Sequence, residues 1–222
     1  VLRHELEAYG AIFQSTSDSE VIIHLIAHSR ADTLLARIID ALSQVRGAFS
    51  IVLQTDDGII AARDPHGFRP LCLGRLGDTY LVASETCAFD LLGAEIVREV
   101  EPGELVVLND KGVTSHKPFT PVSPALCVFE YVYFARPDSK IFGANTVYAT
   151  RKSLGRQLAK ESPVPADIVI PVPDSGVPAS LGYAEGAGIP FELGLIRNHY
   201  VGRTFIEPEQ SIRHFGVKVK LN

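Results

Sequence analysis

The spacing of apolar residues changes twice along this 222-residue chain, and each change narrows what it can fold into. Up to Gly47 the spacing is helical. Leu2 and Leu6 are four apart, and the helix they define is expected to end at Gly10. A short strand is expected at Ile12 and Phe13. Ser17-Asp18-Ser19-Glu20 then has the form of a capping box, with Ser17 as N-cap and Glu20 reaching back. The helix it opens carries Val21, Ile22, Leu25 and Ile26 on one face. Another helix starts near Asp32-Thr33, with Leu34, Leu35, Ile38, Ile39, Leu42 and Val45 at helical spacing.

Beyond Gly47 the pattern becomes that of strands. They are expected over 48–54, 59–63, 71–73, 79–84, 95–100 and 104–108, with a short helix over 85–92. Thr55-Asp56-Asp57-Gly58 reads as a hairpin turn, and Gly77-Asp78, Pro102-Gly103 and Asp110-Lys111-Gly112 mark further turns. Helices followed by antiparallel strands make this part α+β. Pro118, Pro121 and Pro124 then fall within eight residues, the best linker in the chain. After them the order is strand (128–134), helix (147–160), strand (167–172), helix (175–186) and strand (189–196). That alternation predicts a parallel sheet in an α/β domain.

Composition excludes several classes. Hydrophobic residues are 46% and charged residues 21%, which rules out a disordered chain. A net charge of −5 without a dense basic patch indicates no nucleic-acid partner. No apolar run approaches the roughly 18 residues of a membrane span, so no membrane partner is indicated. Three widely spaced cysteines (Cys72, Cys87, Cys127) read as reduced thiols, and the expected location is cytoplasmic. There is no Met, so the 222 residues are expected to be an internal segment of a longer protein.

Four places could carry chemistry. In Ile168-Val169-Ile170-Pro171-Val172-Pro173-Asp174-Ser175-Gly176 an apolar strand turns into a helix within three residues. The free N–H groups of a helix start suit a phosphate or diphosphate. Asp174 would repel a bare phosphate, which points to a divalent cation between them, although Asp174 or Ser175 equally reads as a plain N-cap. The stretch 197–208 gathers Arg197, His199 and Arg203 with Tyr200 and Phe205 around Gly202. It suits a lid over an anionic substrate, or else a solvated loop. Asp18, at a helix start, could hold the α-amino group of an amino acid or merely complement the helix dipole. Arg63-Asp64-Pro65-His66-Gly67-Phe68-Arg69-Pro70 is polar enough to be either a site or a structural ion-pair loop. Cys127 is by default a buried thiol, and the histidines show no ligand spacing.

Taken together, these stretches resemble the glutamine phosphoribosylpyrophosphate amidotransferase family. The likeness also runs through Gly47-Ala48-Phe49-Ser50, Ala83-Ser84-Glu85-Thr86, Phe129-Glu130-Tyr131-Val132-Tyr133-Phe134-Ala135-Arg136-Pro137-Asp138-Ser139 and Asn198-His199-Tyr200-Val201-Gly202-Arg203-Thr204-Phe205-Ile206. The resemblance implies two domains. Residues 1–120 would be an N-terminal-nucleophile glutaminase, an αββα sandwich lacking its first part. Residues 121–222 would be the start of a type I phosphoribosyltransferase α/β domain lacking its last part. It further implies amidophosphoribosyltransferase activity, the first step of purine biosynthesis. A terminal cysteine of the family releases ammonia from glutamine. The ammonia passes through an internal channel and displaces diphosphate from phosphoribosyl diphosphate, giving 5-phosphoribosylamine.

By the same resemblance Asp18 would bind the glutamine α-amino group. Asp174, Ser175 and Gly176 would form the diphosphate loop, with Ser175 near Mg²⁺. Arg197, Asn198, Tyr200, Gly202, Arg203 and Thr204 would belong to the loop that closes over phosphoribosyl diphosphate. Tyr148 falls where the family has a channel or interdomain residue. Cys127 falls where some members place the first ligand of a [4Fe–4S] cluster, although members without a cluster carry this Cys too. His199 departs from the pattern, since members often have Arg there. Purine nucleotides would be inhibitors and the whole protein a homo-oligomer. The nucleophile and the paired-Asp phosphate motif are expected outside the 222 residues, which alone would then turn over no glutamine. Two other readings compete: another N-terminal-nucleophile glutaminase, and a regulator that senses phosphoribosyl diphosphate without catalysis. The first leaves Pro171–Gly176 unexplained, and the second leaves the front half unexplained.

Overall fold

The computed structural model describes residues 1–143, 145–200 and 219–222. In chain order its elements are α1 (Leu2–Ala8), α2 (Ser19–His28), α3 (Leu34–Gln44), β1 (Ser50–Thr55), β2 (Gly58–Arg63), β3 (Cys72–Leu76), β4 (Thr79–Ala83), α4 (Cys87–Leu92), β5 (Glu95–Glu99), β6 (Leu105–Asn109) and β7 (Gly112–His116). A π-helical turn (Glu130–Phe134), α5 (Val147–Glu161) and α6 (Val177–Ala187) follow. The chain divides into two compact units, Val1–Leu73 with Arg98–Leu126, and Gly74–Val97 with Cys127–Asn222.

In the first unit, β1-β2-β6-β7 form an antiparallel sheet in that order. The β1–β2 hairpin turns on Asp56-Asp57, and Gly58 sits at φ +136°, where a Cβ would lie 2.2 Å from the Leu108 carbonyl oxygen. Ile60, Ala62 and Leu105 face Ile22, Ile38 and Leu42 of α2 and α3, with Phe49 completing this core. Each fully buried Ile or Leu contributes about 1.5–3 kcal/mol. The opposite face is closed as well, for Ala61 and Val106 are both 0% exposed. α1 joins through Leu6, packed with Leu25 and Ala41. α3 starts where the sequence predicts, near Asp32-Thr33, and Thr33 is its cap: Oγ1 accepts from the Ala36 N–H at 3.2 Å, worth about 1 kcal/mol.

Several expectations for this unit are corrected. The N-cap of α2 is Asp18, not Ser17. Glu20 reaches further back than a capping box, accepting from Gln14 N–H, Ser15 N–H and the Ser15 hydroxyl at 2.6–2.9 Å. Those bonds, that of the Gln14 N–H first, hold its carboxyl down at about 2. Ile12 and Phe13 form no strand. Phe13 instead lies between the Arg3 guanidinium and the His24 ring, each 4.3 Å from its ring centre. β7 was not expected, because Val113 is flanked by polar residues that hide its pairing with β6.

The second unit contains α4, β4, the greater part of β3 and β5, the π-helical turn, α5 and α6; the strands pair in the order β4-β3-β5. Phe89 of α4 is buried over Gly74, where a Cβ would lie 2.6 Å from the ring. α5 and α6 cross at glycines. A Cβ on Gly155 would lie 1.9 Å from the Ala179 carbonyl oxygen, and one on Gly182 the same distance from that of Lys152. Residues 130–134, expected as a strand, form the π-helical turn. Arg151 of α5 donates to the Tyr131 and Ala135 carbonyls, so these groups have no need of a ladder partner. The expected parallel strands at 167–172 and 189–196 shrink to one bridge, Val169 with Phe191. Pro171, Pro173 and Pro190 lack the N–H groups that would extend it.

Candidate functional site

Asp18 is exposed at the start of α2, and its side chain makes no cap bond. It lines a cavity of about 420 Å³ with Ser19, Arg46, Phe49 and Ser50 among the other walls. The cavity thus pairs a carboxylate and a guanidinium over an apolar floor. That combination suits a zwitterion, one charge for each end of an amino acid. Sequence reasoning found Asp18 and missed Arg46, which lies just beyond a helix and carries no pattern of its own.

The polar loop after β2 turns out to be structural. Asp64 is fully buried, and its carboxylate accepts from the N–H groups of Phe49, His66 and Phe68 at 3.0–3.3 Å. Arg63 is 2% exposed and donates to the Val100 and Gly67 carbonyls at 2.5 and 3.0 Å. Burial pushes the Arg63 guanidinium below its ordinary value, against the opposing pull of Glu99 and Asp64. A second buried carboxylate, Glu104, is gripped by Arg98 at 2.6 and 2.8 Å, by the Ser115 hydroxyl and by the Glu101 N–H. Burial alone would raise its carboxyl, but these donors outweigh burial and leave it lowered.

In the second unit, the turn Pro171–Gly176 places Asp174 and Ser175 at the surface just ahead of α6, which begins at Val177 rather than Ser175. Gly176 is the N-cap. A Cβ there would lie 2.6 Å from the Val172 carbonyl oxygen, so only glycine fits this turn. The Asp174 carboxylate is paired with the Arg197 guanidinium, joining two residues that sequence reasoning assigned to separate loops. Residues 196–198 pair antiparallel with 220–222, through bonds at Ile196, Asn198 and Asn222. The Asn198 side chain accepts from the Tyr200 N–H at 3.1 Å, and Tyr200 is fully exposed. Gly202, Arg203 and Thr204 lie outside the described residues.

Neither expected metal is held by the described residues. Among them no group of three or more His, Cys, Asp or Glu could bind an ion. Asp174 already faces a cation from Arg197, and Ser175 offers only a neutral hydroxyl. Cys127 is half-buried and free, as are Cys72 and Cys87 in buried positions, whereas a cluster needs several converging thiolates. By themselves the described residues thus complete neither a Mg²⁺ site nor a cluster.

Tyr148 is half-exposed on the first turn of α5, where its N–H donates to the Pro137 carbonyl at 2.8 Å. Close by is a group to which sequence reasoning gave no role. The Glu85 carboxylate accepts from the Arg136 N–H and the Ser139 hydroxyl, both at 2.7 Å, and the Thr86 hydroxyl accepts from the Lys140 N–H at 2.9 Å. Nothing in the short run Ser84-Glu85-Thr86 announces partners some fifty residues away.

A family model described as a glutamine amidotransferase domain matches residues 1–90. The amidophosphoribosyltransferase of Rhizobium etli is 55% identical, over 99% of this chain and 45% of that protein. That of Bacillus subtilis is 52% identical, over 100% and 46%. Amidophosphoribosyltransferase 1 of Arabidopsis thaliana, described as chloroplastic, is 54% identical, over 100% and 39%. The solved glutamine phosphoribosylpyrophosphate amidotransferase of B. subtilis, complexed with ADP and GMP, superposes with a TM-score of 0.91 at 51% identity. It covers all of this chain and 48% of that one. The chain thus spans somewhat less than half the length of these relatives. No helix among the described residues is long and apolar enough to cross a membrane. Along its whole length, by sequence and by fold, the chain is similar to the amidophosphoribosyltransferases.

Proposed function

We infer that the protein carrying this chain is an amidophosphoribosyltransferase of purine biosynthesis. It takes ammonia from the side-chain amide of glutamine and uses it to displace diphosphate from C1 of phosphoribosyl diphosphate, forming 5-phosphoribosylamine. The observation that carries the reading is identity above 50%, over all of this chain, to relatives of that name. Residues 1–120 serve as the glutaminase part, of N-terminal-nucleophile type, and residues 121–222 begin the phosphoribosyltransferase part.

Within this reading, the Asp18 carboxylate takes the α-ammonium group of glutamine and Arg46 faces its α-carboxylate. Their shared cavity supports this, since it orients the substrate by both ends while leaving the amide free to react. The Pro171–Gly176 turn receives the diphosphate, with Ser175 donating its hydroxyl and Gly176 admitting close approach. Arg197, Asn198 and Tyr200, continuing by sequence into Gly202, Arg203 and Thr204, cover phosphoribosyl diphosphate. Arg197 leaves Asp174 for the anionic substrate as the loop comes over. Mg²⁺ would accompany the diphosphate rather than reside on these side chains, and Cys127 is kept as a candidate cluster ligand. Purine nucleotides are proposed as inhibitors, by analogy with the B. subtilis relative solved with ADP and GMP.

The test is direct. The protein is supplied with amide-¹⁵N-glutamine and phosphoribosyl diphosphate, and diphosphate, glutamate and ¹⁵N-phosphoribosylamine are followed. Labelled amine formed in step with diphosphate supports the reading. Failure to release diphosphate with either glutamine or ammonium as nitrogen donor refutes it.

A further inference from the structure

Gly74–Val97 lies early in the chain yet belongs to the same compact unit as Cys127–Asn222. Within that unit Glu85 and Thr86 fasten it. Arg136 N–H and Ser139 Oγ converge on one oxygen of the Glu85 carboxylate, and Lys140 N–H donates to the buried Thr86 hydroxyl. The next bonds lead into α5. Val147 N–H donates to the Ser139 carbonyl at 2.9 Å, and Tyr148 N–H to the Pro137 carbonyl at 2.8 Å. One turn on, the buried Arg151 side chain donates to the Tyr131 and Ala135 carbonyls.

These bonds are coupled. Ala135, Ser139 and Thr86 are buried, where polar groups are costly to leave without partners, and the bonds of Glu85, Thr86 and Arg151 together tie residues 135–140 between α4 and α5. That placement sets the first turn of α5. An acceptor at Glu85 can therefore be felt at Tyr148, although nothing puts the two side chains in contact.

We propose that Glu85 is a positioning residue for ammonia transfer: through Arg136 and Ser139 it fixes the start of α5, and with it Tyr148, so that ammonia made by the front half reaches the transferase half instead of solvent. The proposal rests on the functional reading above, together with the resemblance by which Tyr148 falls at a channel or interdomain position. Glu85 itself touches no substrate.

The experiment uses the full protein carrying this chain. Three quantities are measured: glutamate formed from glutamine, phosphoribosylamine formed from glutamine, and phosphoribosylamine formed from added ammonium. In Glu85→Ala, phosphoribosylamine per glutamate is expected to fall by about 2- to 30-fold, the span of coupling energies between sites. Glutamate release and ammonium-dependent synthesis are retained. Glu85→Gln, whose amide oxygen has two lone pairs for the same two donors, restores most of the ratio. Thr86→Val, nearly isosteric, lowers the ratio by less and decides the matter should Glu85→Ala not fold. The proposal is overturned if the ratio is unchanged in both disruptive variants. It is equally overturned if glutamine- and ammonium-dependent synthesis fall in proportion, as loss of structure alone would make them. Absence of both syntheses in the unsubstituted protein would instead overturn the functional reading.

Discussion

Alanine at position 182 would put a methyl group 1.9 Å from the carbonyl oxygen of Lys152, on the facing helix. Its carbonyl carbon would be at 2.8 Å and the Arg156 nitrogen at 3.1 Å. All three are backbone atoms, so no side chain can swing aside, and α5 and α6 must separate by about 1 Å before the contact is tolerable. Such a gap forfeits a quarter to a half of the dispersion energy along the crossing. Overpacking of this kind costs roughly 1–3 kcal/mol or more, and the better helix propensity of alanine returns about 1 kcal/mol. Because only backbone atoms are met the cost falls at the upper end, about 3 kcal/mol, and a net loss of about 2 kcal/mol follows, equivalent to roughly 30-fold in a local opening equilibrium. Native-state hydrogen exchange should therefore show α5 and α6 amides losing about 30-fold protection in Gly182→Ala. Gly155→Ala, which meets the Ala179 carbonyl in the same way, should behave alike. Ser153→Ala, on the exposed side of α5, should change stability by less than about 0.5 kcal/mol. Unchanged or increased protection in Gly182→Ala would refute the close-crossing argument.

On the proposed function, Asp18→Asn in the full protein carrying this chain removes the charge offered to an α-ammonium group, so the KM for glutamine should rise about tenfold while ammonium-dependent synthesis holds; steady-state kinetics with each nitrogen donor checks this. Ser175→Ala should raise the KM for phosphoribosyl diphosphate and leave glutamate release intact, which a glutaminase assay without the second substrate will show. Glu104→Gln removes the charge from a buried acceptor of Arg98, which is itself 38% exposed, and should cost about 1.5–3 kcal/mol in denaturant unfolding. The Glu104 carboxyl is lowered in the folded protein, so its contribution is complete above the ordinary glutamate value of 4.5 and is lost as pH falls toward and through the depressed value. Unfolding curves taken from pH 6 downward should accordingly converge for wild type and Glu104→Gln, which is the outcome that checks the sign.

Local rules carried much of the way. Helical spacing in α2 and α3, the Thr33 cap, the Asp56-Asp57 hairpin and the glycine-tolerant turn at 176 each depend on residues within a few positions, so the sequence displays them. The same holds for Asp18, whose helix start is visible in the pattern around it, whereas the sequence pattern starts α6 two residues early, at Ser175 instead of Val177. The failures share a cause. Residues 128–134 look like a strand by composition, but a π-helical turn wins because Arg151, some twenty positions on, takes its carbonyls. Ladders at 167–172 and 189–196 are limited by prolines whose effect depends on which strand they meet.

The helices α2 and α3, the β1–β2 hairpin and the residue types at the two candidate sites were thus determined by the sequence, because each rests on contacts between near neighbours. Only the tertiary structure decided that Arg46 shares a cavity with Asp18, that Arg197 closes on Asp174, and that Glu85 holds residues 136 and 139. These pairings join groups 23 to 54 positions apart. Groups so far apart in sequence meet only where the packing of the elements between them brings them within reach, and that packing is a property of the folded chain.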